Sequence, residues 1–279
     1  MTWNPQALGL VQDPCGFWSV PNPPDAQAFY REAFYQKEKP EYLLKAKREW
    51  SYWRRVYRSR LGQLGNPGRI LDIGAGGGFF LKAAQELGWQ PTGIEPSPLA
   101  CQFAQEDLGL NLIQSDWADT QIDEPFDAIH CAFVLEHISN PRALIHRLFS
   151  WLRPAGRVWI EVPNEGNPLQ AALLQAGQKP WWFVPNHHLH YFNPTSLTNL
   201  LKEQGFQILD QQASFPMEAL ALGGLNYLEN PEHGPVAHVA RMSFESHLYD
   251  AQPQLLTDLY RALAALGIGR SINLLGEKP

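Results

Sequence analysis

The stretch Arg69-Ile-Leu-Asp-Ile-Gly-Ala-Gly-Gly-Gly-Phe-Phe-Leu81 constrains this chain more than any other. It reads as a strand that runs straight into a glycine turn and then into a helix, the place where open α/β sheets bind ligands. Gly74, Gly76 and Gly78 remove side chains where the backbone must turn tightly and where a ligand must lie against it. A dinucleotide fingerprint beginning at Gly74 and Gly76 would need its third glycine at position 79, which is Phe79. That weighs against NAD. The Lys-Ser/Thr of a phosphate-cradling loop is absent too, which excludes that route to ATP or GTP.

From residue 69 onward short apolar runs alternate with helical periods, as in a parallel sheet covered by helices. Strands are expected near 69–73, 91–95, 110–114, 126–132 and 156–162, with two more at Phe206–Phe215 and Ser271–Leu275. Helices are expected near 77–88, 97–107, 140–152 and 195–204. About 55 residues separate the last two strands and carry helical periods at 216–228 and 252–266, too many for an ordinary loop. The expected organisation is a helical N-terminal cap over 1–64, a core over 65–215 with 269–279, a loop insertion over 163–193 and a helical insertion over 216–268.

The series Asp72-x-Gly74-x-Gly76-x-Gly78 resembles the first motif of the class I S-adenosylmethionine-dependent methyltransferases. The resemblance continues through Thr92-Gly-Ile-Glu-Pro96, Asp116-Trp117, Phe126 to His137 and Leu152 to Glu161, in the family's order and spacing. It implies a Rossmann-like seven-stranded core, a mostly parallel sheet with an antiparallel last strand, and S-adenosylmethionine as cofactor. The residues it assigns to the cofactor are Asp72, Gly74, Ala75, Gly76, Gly78, Glu95, Pro96, Asp116, Trp117, Cys131, Ala132 and Phe133. Glu95 would accept both ribose hydroxyls. Asp116 would take the adenine amino group, Trp117 would cover the ring, and residues 131–133 would lie beside the methionine part.

His187-His-Leu-His-Tyr-Phe-Asn-Pro-Thr-Ser-Leu197, with Phe29-Tyr30 and Phe34-Tyr35 upstream, resembles a branch often encoded with glycan or natural-product enzymes. Some members of that branch carry zinc-binding cysteines, of which only Cys15-Gly16 remains here. No metal is expected there, nor at His187, His188 and His190, since no carboxylate follows at ligand spacing. The implied reaction is methyl transfer to a small acceptor, most readily a hydroxyl of a sugar, lipid-linked or natural-product molecule. Holding nucleophile and methyl carbon together supplies most of the acceleration, and a base helps a hydroxyl lose its proton. Histidine is nearest neutrality for that task, so the candidates are His137, His188 and His190. Tyr30, Tyr35, Glu161, Asn164, Trp181, Trp182, His187 and Tyr191 are candidates to surround the acceptor.

Charge adds one expectation about the acceptor. Between Lys37 and Arg60 there are nine basic and three acidic residues, so this segment is +6 while the remainder is −12. Leu43, Ala46, Trp50, Trp53, Tyr57, Leu61 and Leu64 recur through it at helical steps. An amphipathic helix with a basic face follows, read either as a packed helix whose basic face is simply solvated or as a cap that would draw an anionic acceptor. An acidic chain without a reader motif argues against nucleic acid as a partner. With 44% hydrophobic and 18% charged residues, neither disorder nor a coiled coil describes the whole. Three scattered cysteines exclude a disulfide framework, no run reaches bilayer length, and a cytoplasmic protein is expected. Two alternatives remain at this level: a cofactor-binding regulatory module without methyl transfer, and an NAD-dependent oxidoreductase.

Overall fold

The computed structural model describes residues 3–23, 31 and 34–279. Among the described residues, the N-terminal part, expected as a helical cap over 1–64, does not begin as helix alone. Val11–Gln12 (β1) and Trp18–Ser19 (β2) pair antiparallel instead, around a turn in which Asp13 accepts from the backbone of Cys15 and Gly16. Asp-Pro-Cys-Gly is a turn former, and its side-chain hydrogen bond competes with helix. The helical period is realised later, as Tyr42–Arg48 (α1) and Trp50–Leu64 (α2), interrupted at Glu49.

The core follows in strand–helix order. Arg69–Ile73 (β3), Phe79–Glu86 (α3), Gln90–Ile94 (β4), Pro98–Leu108 (α4), Phe126–Ala132 (β5), Pro141–Trp151 (α5) and Leu152–Pro163 (β6) come first. Pro168–Gln175 (α6), His190–Tyr191 (β7), Pro194–Glu203 (α7) and Gln207–Ala213 (β8) continue the chain. Met217–Leu222 (α8), His233–Ala251 (α9) and Pro253–Ala265 (α10) then precede Ser271–Glu277 (β9). The main sheet has the order β4-β3-β5-β6-β9-β8, parallel from β4 to β6. The last strand, β9, slots between β6 and β8 and is antiparallel to both, as expected.

Among the described residues this sheet has six strands, where seven were expected. The segment near 110–114 makes only a bridge between Ile94 and Ile113. Gly93 O accepts from Ile113 N and Ile113 O accepts from Glu95 N, after which the chain leaves the sheet edge. Ile113 is exposed there, so little apolar burial rewards a longer ladder.

Strand alternation sorts the core onto two faces. Leu71, Ile73, Ile129, Cys131, Val158 and Ile160 join one cluster, backed by α5 and α7, while Ile70, Ala128 and Trp159 face α2 and α3. The aromatic stripe of α2 meets α3 through Trp50 on Phe79 and Tyr57 edge-on to Phe80, at 5.7 and 5.6 Å. The helices between β8 and β9 close over α2. Tyr52 and Tyr260 both donate to the buried carboxylate of Glu245 on α9. No helix among the described residues is long and apolar enough to cross a membrane.

Candidate active site

At the end of β3 the backbone enters the left-handed region three times, with φ of 68° at Gly74, 53° at Gly76 and 81° at Gly78. A Cβ at Gly74 would stand 2.5 Å from Val134 Cγ2, and one at Gly76 would stand 3.0 Å from the Tyr35 hydroxyl. Side chains are therefore excluded by conformation and by space. Gly78 serves differently, as the residue capping α3, and a Cβ there would meet Leu110 and Ala104 rather than the open side of the turn. Glu95, at the end of the neighbouring strand, braces the turn. Its carboxylate accepts from Gly76 N at 2.8 Å and from Ser97 N at 2.9 Å. Burial nonetheless pushes its pKa up to about 7.

Beneath the turn lies a polar chain that sequence reasoning missed. Strand register places Asp72 beside His130, and alternation brings Trp159 and Glu161 onto that same face. Asp72 Oδ1 lies 2.7 Å from His130 Nδ1, and His130 Nε2 lies 3.2 Å from Arg60 Nη1. Arg60 then pairs with Glu161 at 2.5 Å, and Ser271 donates to the other Glu161 oxygen. This chain joins α2, β3, β5, β6 and β9 at their active ends. The period-two pattern was signal enough to align the three strand residues. Nothing local to Arg60 indicated that it would cross to them.

The acceptor candidates divide sharply. His137 and His188 meet, with ring centroids 5.0 Å apart, and both line a cavity of about 1390 Å³ that also contains the glycine turn. His137 Nδ1 faces the His187 carbonyl at 2.8 Å, and His188 Nδ1 faces Glu165 at 2.6 Å. Glu136 lies close to both rings, 1% exposed, with Oε1 3.4 Å from His137 Nε2. Burial pushes Glu136 up to about 8 and His137 down to about 3. For His188 burial opposes the charge, but the Glu165 carboxylate outweighs it and leaves the pKa raised. Glu136 and Glu165 were not anticipated as partners, because they come from a turn and a loop far apart in the chain.

His190 is not part of this group. Its Nδ1 bonds Ser19 and its Nε2 bonds the Ile138 carbonyl, so it stitches β2 to the turn after β5, and burial lowers its pKa to about 4. Asn164 spends its amide on the carbonyls of Gly267 and Gly269, which is loop scaffolding. Tyr191 is buried among Trp3 and Phe183, and neither it nor His187 lines the cavity. Tyr35, Glu161, Trp181 and Trp182 do line it. Tyr30 lies outside the described residues.

The methyltransferase domain family matches residues 42–211, more than half of the chain. This chain belongs to that family. The chain is 26% identical over 152 residues to the ubiquinone biosynthesis O-methyltransferase of Xanthomonas axonopodis pv. citri, covering 51% of this chain and 64% of the relative. With the mitochondrial ubiquinone biosynthesis O-methyltransferase of Schizosaccharomyces pombe it shares 28% over 153 residues, 51% of this chain and 56% of that one. The match thus spans less than two thirds of these relatives' length. Among solved structures, a SAM-dependent methyltransferase from Archaeoglobus fulgidus superposes with a TM-score of 0.55 at 20% identity, over 85% of this chain and 99% of its own. Phosphoethanolamine N-methyltransferase 2 of Haemonchus contortus gives 0.57 at 17%, over 92% of this chain and 61% of its own. The fold of this chain is that of the class I S-adenosylmethionine-dependent methyltransferases.

The residues of this chain fit that cofactor. Asp72, Gly74, Ala75, Gly76, Glu95, Pro96, Asp116, Trp117, Ala132 and Phe133 all line the cavity, on the side of the glycine turn that a Cβ would obstruct. Phe133 holds φ at 56°, an unusual conformation for a bulky residue, while its N–H donates to the Glu161 carbonyl. Cys131 and Gly78 fall outside this group, since the Cys131 side chain is in the core and Gly78 packs on α4.

The basic segment behaves differently from a free cationic face. Lys45, Lys47, Arg48, Arg54, Arg55 and Arg60 each face a carboxylate, of Glu49, Asp107, Glu41, Glu86, Asp250 and Glu161. Its charge is largely compensated where it stands.

Proposed function

We propose that this protein methylates a hydroxyl of a small acceptor with an apolar or aromatic body, using S-adenosylmethionine. One observation carries the reading: the glycine turn and the Glu136–His137–His188 group open into a single cavity. S-adenosylmethionine supplies an electrophilic methyl group. Glu95 would receive the ribose hydroxyls, Asp116 the adenine amino group and Trp117 the ring face, while the backbone at Gly74–Gly76 and Ala132–Phe133 would hold the methionine end.

The acceptor end differs in character. Trp181, Trp182, Phe215, Met217, Tyr227 and Met242 line it, a set suited to a ring or hydrocarbon. Its polar floor is Glu136, His137, His188 and Glu165, and there the departing hydroxyl proton is received. Excluding water and fixing the angle of approach are the remaining tasks of the walls. A neutral acceptor replaces the anionic one suggested by composition, since the cap's cations are directed at carboxylates. The relatives named for ubiquinone biosynthesis are O-methyltransferases, which supports oxygen as the accepting atom.

Calorimetry with S-adenosylmethionine and S-adenosylhomocysteine, followed by transfer of a labelled methyl to phenols, aliphatic alcohols and sugars, tests this. Binding of both cofactors and labelling of phenols is expected. Absence of cofactor binding at millimolar concentration removes the proposal, and binding without product across the panel would favour a regulatory module.

A further inference from the structure

We propose that Arg270 selects the acceptor, by donating hydrogen bonds to a neutral carbonyl oxygen carried by the same molecule as the hydroxyl to be methylated. The inference deepens the reading above and rests on it for one point, that this end of the cavity receives the acceptor. Arg270 stands just before β9, lines the cavity and keeps 49% of its side chain exposed. In this it differs from the cations of the cap, of which Arg60 is 11% exposed and bonded to Glu161 at 2.5 Å. Among the described residues the one carboxylate paired with Arg270 is that of Glu218, whose Oε1 lies 3.8 Å from Nη1, too far for a hydrogen bond.

Buried structure fixes where the side chain starts. Asn164 N donates to the Arg270 carbonyl at 3.0 Å, and the Asn164 amide donates to the carbonyls of Gly267 and Gly269. Asn167 adds a bond to the Gly269 carbonyl, and both asparagines are buried. Gly269 holds φ at 129°, where a Cβ would stand 2.5 Å from that of Ala213. Ser271 then enters β9 opposite Pro163. Of residues 267–270 only Arg270 lines the cavity, so this scaffold presents a single side chain to it. Asn164, expected to touch the acceptor itself, acts through Arg270 instead.

The charges around Arg270 decide which oxygen it takes. Glu218, fully buried on α8, accepts from Gln170 Nε2 at 3.2 Å, and Gln170 in turn accepts from Gly166 N. The second oxygen of Glu218 is buried without a hydrogen-bond partner, so its charge is left for Arg270 to balance. Burial pushes the pKa of Glu165 up, and the Arg270 charge is one of the influences opposing it. Two carboxylates thus offset the guanidinium without consuming its N–H donors. An anionic group would meet both carboxylates there, whereas a neutral oxygen meets the donors alone. A guanidinium donates and cannot accept, and its planar fork suits the lone pairs of a carbonyl. The Tyr227 hydroxyl, buried without a partner and within reach of the Arg270 charge, supplies a further donor. Glu165 also bonds His188 at 2.6 Å, so the anchor and the group that receives the proton share one carboxylate neighbour.

The test reads binding first and methyl transfer second, so that the two can fail separately. Full-length protein saturated with S-adenosylhomocysteine is titrated in the calorimeter with three probes. These are meta-hydroxyacetophenone, meta-ethylphenol, in which a methylene replaces the carbonyl, and meta-hydroxybenzoate, which carries a carboxylate. The ketone is expected to bind about 10- to 100-fold more tightly than the other two. Arg270→Met should remove that preference while leaving S-adenosylhomocysteine affinity unchanged, and Arg270→Lys should keep part of it. The ratio within each variant is compared, because a merely structural role would weaken all three probes alike. Where Arg270→Met does not fold, the Arg270 Nε–H signal in the NMR spectrum of the parent, assigned by its loss in Arg270→Lys, decides instead. It should shift with the ketone and stay in place with the ethyl analogue. Equal binding of ketone and ethyl analogue, a preference that survives Arg270→Met, or no binding of any probe overturns the assignment. Tightest binding of the carboxylate would make Arg270 an anion site and overturns it equally. Ketone preference without methylated product counts against the methyl-transfer reading alone. A parent that does not bind S-adenosylhomocysteine is titrated with the same probes as the free protein, and the same ratios decide.

Discussion

The two ends of the cavity are built in opposite ways. The cofactor end is assembled from neighbours in sequence, a strand end, its glycine turn and the acid closing the next strand, with Glu95 bonded to Gly76 only 19 residues away. The acceptor end gathers Glu136 and His137 from one turn, Glu165 from a loop and His188 from the segment before β7, then roofs them with helices that follow β8. The first arrangement uses backbone geometry and survives great variation in side chains. The second uses side chains alone, so it is free to differ between enzymes that share a cofactor.

The largest expected effect separates the ends by function. His188→Ala should lower methyl transfer by about 100- to 10,000-fold while leaving S-adenosylhomocysteine affinity unchanged. A comparable loss in both measurements would show that the two ends are not independent. Next in size is the buried chain between them. Arg60→Met leaves Glu161 and His130 without their partner, and urea denaturation should show a loss of about 3–5 kcal/mol. A loss below about 1 kcal/mol would mean that the chain carries no part of the coupling between cap and sheet.

Gly74→Val should act at the cofactor end only. A left-handed conformation costs a branched residue about 1–2 kcal/mol and the contact with Val134 about 1–3 kcal/mol more. Cofactor binding should disappear from calorimetry, while the environment of His188, followed by NMR, stays unchanged. The smallest effect is a proton count. Glu95 has a pKa of about 7 in the folded protein against an ordinary 4.5, so folding favours its protonated form. Its contribution to stability is present below pH 4.5 and lost as pH rises through 7. Ribose hydroxyls that donate to Glu95 require it ionised, so cofactor binding should release about half a proton at pH 7 and less at pH 8. Calorimetry in two buffers of different ionisation heat measures this, and a count of zero at both pH values removes Glu95 from the ribose site.

Legibility followed the same division. The glycine turn, Glu95, Asp116 and Trp117, which all line the cavity, come from short continuous stretches whose backbone demands particular residues. The strand near 110–114 was over-read, since its alternation is local but its pairing needed a covered edge that Ile113 does not have. The N-terminal hairpin was missed, since β2 is completed only by β7, about 170 residues later. His190 shows the limit most plainly. Sequence places it two residues from His188, a spacing that would share one face of a strand, yet His188 lies in the segment before β7, and Ser19 and Ile138 take both nitrogens of His190.

Order along the chain therefore decided the cofactor fold and the position of its turn, because glycine conformations and strand periods are properties of adjacent residues. Tertiary structure alone decided what stands across the cavity from the glycine turn. Which carboxylate meets which imidazole, and whether a cation on the cap faces solvent, a substrate or Glu161, depends on segments that touch only after the sheet has closed.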